Sequence, residues 1–231
     1  MSLDERMKSY YEWPYLYELP MRMPVIIRLD GRCFHSFTSK MKRPFDESFM
    51  AAMSQVAIKL CDDISGAVFA YTQSDEISIL LHNYKKLGTQ GWFGNEVQKM
   101  ASVSAGIASS AMTLIYNMEA VFDSRVFVLP ESEVANYFLW RQQDATRNSI
   151  QMCAQSMFSH KELHKISCKE LQGKMLREKN FNWNDLPVYQ KRGTAIYRAT
   201  GDSQKFIYDL NMPVISQDRD FIDKWLKVEE C

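Results

Sequence analysis

A chain of 231 residues is long enough to bury a sizeable core as one domain, with or without an appended lobe. Apolar residues make up 46% of it, which excludes an intrinsically disordered protein. Because 28 basic side chains balance 28 acidic ones, any surface that binds nucleic acid must be a local basic patch.

Cysteine usage and hydropathy indicate the compartment. The five cysteines are scattered and form no CxxC pair, which is typical of reduced thiols in a cytosolic protein. The N-terminus lacks the apolar centre of a signal peptide, and no apolar run reaches 18 residues. We therefore expect a soluble, cytoplasmic protein, and an organellar location would also fit.

The apolar spacing of the first 158 residues predicts a series of helices and strands. In chain order they are a short helix at 3–12, a buried strand at 23–32, a helix at 45–64, a strand-turn-strand hairpin at 66–83, a long helix at 92–116, a strand at 121–130 and an amphipathic helix at 131–158. The residues after 158 predict shorter helical pieces, such as 169–179, and strands near 188–200 and 205–210.

This order of elements indicates the fold class. Strand, helix, strand, strand, helix, strand is the split βαββαβ pattern, which predicts an α+β, palm-like (ferredoxin-like) antiparallel sheet with helices on one face. We interpret residues 1–158 as a palm-like catalytic domain and residues 159–231 as a C-terminal helical and β lobe packed on it. The two parts would form a single compact unit.

Acidic residues end two of the predicted strands. The strand at 23–32 delivers Asp30, and the hairpin tip carries Asp75 and Glu76. In the βαββαβ arrangement these strands are neighbours, so the acids would meet at one edge of the sheet. Magnesium prefers carboxylate and other oxygen ligands, and two such ions can hold a triphosphate and activate a hydroxyl. The Gly31 carbonyl could add a further oxygen. Ordinary polar turns would explain each acid alone, whereas their joint placement favours a metal site.

Read with their flanks, these motifs resemble one family. Six segments carry the resemblance, in order: IIRLDGRCFHSFT (26–38), AYTQSDEISIL (70–80), FDSRVFVLP (122–130), YFLWRQQDATRNSI (137–150), LQGKML (171–176) and NDLPVYQKRGTAIY (184–197). Together they are similar to the tRNA-histidine guanylyltransferase family, the 3′-to-5′ reverse polymerases. The resemblance covers roughly residues 5–200.

The resemblance implies an activity and its partners. It implies a palm-like enzyme that works as a homotetramer on tRNA, with two Mg²⁺ ions and with ATP and GTP or other nucleoside triphosphates as substrates. The RNA 5′-phosphate would first be capped by a nucleotide. The 3′-hydroxyl of an incoming triphosphate would then displace that nucleotide, and pyrophosphate would be removed where a monophosphate end is needed.

The family motifs also assign roles to residues. Asp30, the Gly31 carbonyl and Asp75 match the metal ligands, and Glu76 beside them is a further catalytic candidate. The nucleotide-binding residues that the resemblance implies are Arg32, Cys33, Phe34, His35, Lys40, Ser74, Lys99, Arg147 and Asn148. Plainer interpretations stay open for three of them: Phe34 as a core residue, His35 as a hydrogen-bonded helix residue and Lys99 as a solvated lysine.

One segment departs from the family pattern. Eukaryotic members carry His-Ile-Asn-Asn where this chain has Thr146, Arg147, Asn148 and Ser149. The missing histidine makes the chain more similar to the Thg1-like branch, which favours templated addition and repairs 5′-truncated tRNAs. Arg147 suits bidentate contacts with phosphate. The alternative is a structural network around Trp140, Arg141 and Asp144.

Positive charge gathers in the C-terminal half and would favour RNA binding by counterion release. Lys191 and Arg192, in a KRG turn, are the strongest candidates for RNA contact. Three other functions remain open: addition of an untemplated guanosine to tRNA-histidine, a nucleotidyl cyclase, which would need no RNA, and a non-catalytic tRNA-binding module. The hairpin tip reads QSDE, which is not a cyclase signature, and the retention of both acids argues against a non-catalytic module.

Overall fold

The computed structural model describes residues 1–86, 88–199 and 205–227. Six strands in these ranges form one antiparallel sheet: β1 (Val25–Gly31), β2 (Ala67–Gln73), β3 (Glu76–Leu81), β4 (Phe122–Val128), β5 (Thr194–Arg198) and β6 (Phe206–Asp209). Their order across the sheet is β4-β1-β3-β2-β5-β6. The chain is therefore a mixed α+β protein.

The helices cover both faces and the ends of this sheet. They are α1 (Leu3–Met7), α2 (Phe34–Phe37), α3 (Glu47–Asp63), α4 (Val97–Tyr116), α5 (Glu131–Met157), α6 (His160–Leu163), α7 (Cys168–Lys179), α8 (Val188–Arg192) and α9 (Asp220–Asp223). A π-helical turn (Lys8–Glu12) and a 3₁₀ turn (Trp13–Tyr15) continue α1. The predicted helix at 92–116 begins at Val97, after a separate 3₁₀ turn (Trp92–Asn95).

The first four strands follow the predicted split pattern, because α3 joins β1 to β2 and α4 joins β3 to β4. Both helices lie on one face, where Val56 of α3 and Met100 of α4 share a core with Ile27 of β1. The side chain of Asp46 caps α3 by accepting a hydrogen bond from the Phe49 N–H at 3.0 Å. This arrangement fixes β1 between β3 and β4.

The helix α5 covers the opposite face, so the prediction of helices on one face holds for α3 and α4 and is wrong for α5. The apolar side chains of β1, β2 and β3 that point away from α3 and α4 need a cover of their own. Phe138 of α5 packs in a second core with Ile26, Phe69 and Leu80. The central strand β3 is buried along its whole length, with Ile77, Ile79 and Leu81 in the first core and Glu76, Ser78 and Leu80 on the side of α5. The sheet thus separates the core into two layers, one on each of its faces.

The C-terminal strands continue the same sheet. Ile196 of β5 pairs with Ala70 of β2, and β6 pairs with β5. The strand predicted near 188–200 begins only at Thr194, so its first half was wrong: residues 188–192 form α8. Gly193, at φ +81°, turns the chain between the two. Thr200 lies outside the described residues, and the boundary at residue 158 stays a prediction.

Two further features are the cysteines and the hydropathy of the helices. Cys33, Cys61, Cys153 and Cys168 are free thiols, and Cys231 lies outside the described residues. No helix among the described residues is both long and apolar enough to cross a membrane.

Candidate active site

The end of β1 and the β2–β3 turn meet at one edge of the sheet. The Gly31 N–H donates a hydrogen bond to the Asp75 carbonyl at 3.1 Å. Asp30 lies opposite Glu76 on β3 and opposite Asp123 on β4. A Cβ at Gly31 would come within 2.5 Å of the Phe34 ring, so only glycine fits where the chain folds back. The structure therefore brings Asp30 and Asp75 together, as the strand order predicts.

The electrostatics of this edge favour a bound cation. Burial raises the pKa of Asp75, and the nearby Asp30 carboxylate raises it further, while a hydrogen bond from the Ser74 side chain opposes the shift. Two carboxylates that disfavour each other's charge would be stabilised by a divalent ion between them. Among the described residues, no group of three or more His, Cys, Asp or Glu side chains is placed to hold a metal. Asp30 and Asp75 would form a smaller donor set of the kind that magnesium accepts, because magnesium keeps waters and substrate phosphates as its other ligands.

Glu76 lies beside this pair, and its carboxylate forms ion pairs with two arginines. Its carboxylate is 2.7 Å from Arg28 Nη2 and accepts a hydrogen bond from Arg141 Nη1 at 2.8 Å. Burial raises the pKa of Glu76, and the two guanidinium groups partly offset this shift. The residue is only 3% exposed. Glu76 thus orders two arginines next to Asp30, a role that the sequence did not indicate.

The loop after β1 carries four of the predicted nucleotide-binding residues, of which three are exposed to solvent and one lies in the core. Arg32, Cys33 and His35 are exposed, and His35 Nε2 lies 3.1 Å from the Ser36 hydroxyl. Phe34 is 3% exposed, and its ring packs against Phe122 and other aromatic rings of the core. The plainer interpretation of the Phe34 side chain, as a core residue, is therefore the one that the structure supports.

A cleft of about 120 Å³ adjoins the β2–β3 turn. It lies between the loop at 38–46, α5 and α8, and Ser74 and Asn148 are among its lining residues. Lys40, from the same loop, is exposed but does not line it. Sequence reasoning did not assign most of the lining residues to the site, among them Lys42, Arg43, Tyr189 and Gln190. The basic pair Lys42 and Arg43 in the loop was a usable signal.

The segment 146–149 of α5 divides into two pairs. The Thr146 hydroxyl donates to the Gln142 carbonyl at 2.9 Å, and the Ser149 hydroxyl accepts a hydrogen bond from the Trp183 ring N–H at 3.0 Å, so both are structural. The Arg147 side chain is 61% exposed and pairs with Asp144. Asn148 faces the cleft, with its amide nitrogen 3.5 Å from Asp144. The Arg141–Asp144 network exists, and it leaves Arg147 and Asn148 open to a ligand.

Lys99 does not join this site within one chain. Ser109 of α4 hydrogen-bonds to the Phe122 N–H at 3.0 Å, beside the Asp30 edge. With a helical rise of about 1.5 Å per residue, Lys99 lies roughly 15 Å further along α4. There it pairs with Glu96 at 3.0 Å. Lys99 is therefore remote from the Asp30 edge within one chain, and its nucleotide-binding role stays a prediction.

The two basic residues expected to contact RNA lie at the end of α8, rather than in a turn. The Lys191 ammonium group donates to the Asn184 carbonyl at 2.6 Å, and burial lowers its pKa. The Arg192 carbonyl accepts a hydrogen bond from the Tyr71 hydroxyl at 2.6 Å. Contact of Lys191 and Arg192 with RNA stays a prediction.

Comparison with known proteins agrees with this geometry. Residues 4–130 match the family model described as tRNAHis guanylyltransferase. A bacterial tRNA(His) guanylyltransferase (Thg1)-like protein in complex with ATP is 46% identical, with a TM-score of 0.95 over 99% of this chain and all of that one. A bacterial Thg1-like protein in complex with GTP is 43% identical, with a TM-score of 0.88 over 98% and 99% of the two chains. A probable tRNA(His) guanylyltransferase of Dictyostelium discoideum is 26% identical over 82% of each chain.

The fold, the paired carboxylates and these relatives define an enzyme of the nucleotidyltransferase class. The chain belongs to the tRNAHis guanylyltransferase family.

Proposed function

We propose that the chain is a magnesium-dependent 3′-to-5′ nucleotidyltransferase that activates a tRNA 5′-phosphate with ATP or GTP and adds nucleotides to that end. The observation that carries the proposal is the meeting of Asp30 and Asp75, joined through the hydrogen bond from the Gly31 N–H to the Asp75 carbonyl. The bound nucleotides of the bacterial relatives support ATP and GTP as substrates.

The residues of the site would have two different roles, metal binding and nucleotide binding. Asp30, the Gly31 carbonyl and Asp75 would hold two magnesium ions, whose charge stabilises the phosphates when bound. Ser74 and Asn148 line the cleft and would hydrogen-bond the nucleotide. In activation, an oxygen of the RNA 5′-phosphate attacks the α-phosphorus of the triphosphate and pyrophosphate leaves. In the nucleotide-addition step, the 3′-hydroxyl of the next triphosphate attacks the capped 5′-phosphate and the capping nucleotide leaves. Such transfers depend mainly on positioning and charge.

We further propose templated 5′-end repair as the main task. The support is the segment at 146–149, where the histidine of the untemplated branch is absent and Thr146 bonds only within its helix. A tRNA that lacks its first nucleotide should be extended much faster when the incoming base can pair with the opposite base. Equal extension of paired and unpaired ends would favour untemplated guanosine addition instead.

The remaining parts of the proposal concern assembly and location. We propose a palm-like catalytic unit (1–158) with a C-terminal lobe (159–231), assembled as a homotetramer that binds tRNA in the cytoplasm or an organelle. Lys191 and Arg192 would contact the RNA. Incubation with nucleoside triphosphates alone tests the cyclase alternative, because a cyclic product would contradict the RNA-dependent reaction.

The metal assignment is tested by Asp30→Asn and Asp75→Asn, which keep the side-chain shape but remove the charge. Both should abolish capping and addition, measured with a 5′-labelled truncated tRNA, while circular dichroism stays unchanged. Asp4→Asn is the control, because Asp4 lies in α1 and its side chain is 70% exposed. Retained activity in either site variant would refute the assignment.

A further inference from the structure

The sheet face beside Asp30 is only partly covered. The helix α5 crosses β3 with Tyr137 on Ser78, at 2.8 Å, and Arg141 on Glu76, at 2.8 Å. Towards β4 the same face stays open, since the Asp123 and Arg125 side chains are 53% and 59% exposed. We call this region, floored by Arg28, Asp30, Asp123 and Arg125, the open shelf. It adjoins the candidate metal ligands on the side away from the cleft.

Trp140 of α5 forms the wall of the open shelf. It is 50% exposed, which is unusual for a tryptophan beside buried ion pairs. The Arg141 guanidinium carbon lies 3.5 Å from the centroid of its ring, and that of Arg28 lies 5.7 Å away. Tyr137 packs against the ring at an interplanar angle of 66°. These contacts fix the orientation of the ring, while half of its surface stays open to solvent.

A fixed and half-open indole next to cations is suited to one class of ligand. Bases at RNA ends and in single strands are commonly stacked on aromatic side chains, and arginines nearby add attraction for phosphate. Arg28 connects the indole to the edge of the sheet that carries Asp30 and Asp75, which we call the reaction edge. Its guanidinium group also lies 2.7 Å from the carboxylate of Glu76, the residue opposite Asp30. A base on Trp140 would therefore lie next to the carboxylates.

We propose that Trp140 is a stacking platform for a nucleobase at the reaction edge, either the terminal base of the RNA or the base of the incoming triphosphate. This inference rests on the proposed function for the identity of the ligand. It assigns a substrate-positioning role to a residue that sequence reasoning had placed only in a structural network.

The test is direct binding, which needs no turnover. We would titrate Trp140→Ala, Trp140→Tyr and wild type with two fluorescent probes that contain 2-aminopurine. One probe is a tRNA acceptor hairpin that lacks its first nucleotide and carries the analogue as its 5′-terminal base. The other is the analogue as a free ribonucleoside triphosphate with Mg²⁺. Trp13→Ala is the matched control, because Trp13 is 55% exposed and belongs to the N-terminal segment that contacts the start of α4.

Stacking makes a specific prediction. Trp140→Ala should weaken binding of one probe by about fivefold to a hundredfold, as expected for ~1–3 kcal/mol per stacked base. It should also remove the fluorescence quenching of that probe, while Trp140→Tyr retains most of both and Trp13→Ala changes neither. The affected probe identifies the source of the base.

Two results would overturn the inference. One is unchanged affinity and quenching of both probes in Trp140→Ala. The other is an equal loss of affinity in the alanine and tyrosine variants with quenching intact, which would show a purely structural role. Failure of the proposed function is a separate observation, since it would show as absent 5′ addition in wild type whatever the probes report.

Discussion

The carboxylate of Glu76 accepts a hydrogen bond from Arg141 at 2.8 Å, and the two side chains are 5% and 4% exposed. Arg28 approaches the same carboxylate from β1 at 2.7 Å. A buried ion pair of this kind stabilises little in net terms, but removing one partner leaves a charge buried without compensation. The pair therefore connects α5 to the reaction edge, and replacing either residue alone should destabilise the protein.

The first prediction follows from that pair. Arg141→Met should lower the free energy of unfolding by about 3–5 kcal/mol, because it leaves the buried Glu76 carboxylate with Arg28 as its remaining counter-charge. Urea denaturation followed by circular dichroism measures this. Glu178→Gln is the control, since Glu178 is 47% exposed in its pair with Lys174 and should change stability by less than about 1 kcal/mol. Equal effects in the two variants would show that the Glu76 contacts contribute little.

The second prediction concerns pH and Asp75. Since the folded-state pKa of Asp75 is raised, its stabilising contribution is present below the unfolded-state pKa of about 3.9 and is lost as the pH rises through the folded-state pKa. In metal-free protein, Asp75→Asn should therefore gain stability relative to wild type between pH 4 and pH 7. Added Mg²⁺ should reverse the order, because it binds the carboxylate only in wild type. A stability difference that does not vary with pH would contradict the shift.

The third prediction concerns the cleft. Asn148→Ala should raise the KM for the nucleoside triphosphate by about threefold to tenfold, as expected for one neutral hydrogen bond of ~0.5–1.5 kcal/mol. Thr146→Ala, two residues earlier in α5, should leave KM unchanged because its hydroxyl bonds to the Gln142 carbonyl. Steady-state kinetics with a fixed RNA end compares the two. If Thr146→Ala has the larger effect on KM, the assignment of the cleft is wrong.

The fourth prediction uses two glycines. Gly193 has φ +81°, and a Cβ there would lie 2.6 Å from the Thr72 carbonyl oxygen, so Gly193→Ala should destabilise the junction of β2 and β5 by about 1–3 kcal/mol or more. Gly106 in α4 has open space around it, so Gly106→Ala should stabilise the protein by about 0.5–1 kcal/mol. Thermal melting should give shifts of opposite sign. A shift of the same sign in both would refute the argument from strain.

The fifth prediction concerns Lys99 and the proposed tetramer. Lys99 is remote from Asp30 in its own chain, so a contact with phosphate bound at Asp30 would have to come from a neighbouring subunit of the proposed tetramer. Lys99→Ala and Asp75→Asn should then be inactive alone and regain part of the activity when the subunits are mixed and reassembled. Full activity of Lys99→Ala alone would show instead that this lysine is only a partner of Glu96.

The sequence predicted those parts of the fold that local patterns encode. The apolar run at 23–32 and the helical spacing at 45–64 and 131–158 became β1, α3 and α5 with ends shifted by a few residues. The register of the hairpin follows from the turn at Ser74 and Asp75, which is why the acids at its tip could be placed. The start of α8 was missed because VYQKR has no strong period and its helix has only five residues.

By itself the sequence determined which acids could form the site and which family the motifs resemble, because both depend on short segments at the ends of strands. Only the tertiary structure decided how the neighbours of those acids are used. It placed Glu76 between two arginines, the Phe34 ring in the core and Lys99 at the far end of α4. These outcomes depend on which face α5 covers and on the direction in which α4 runs, and contacts between segments distant in the chain set both.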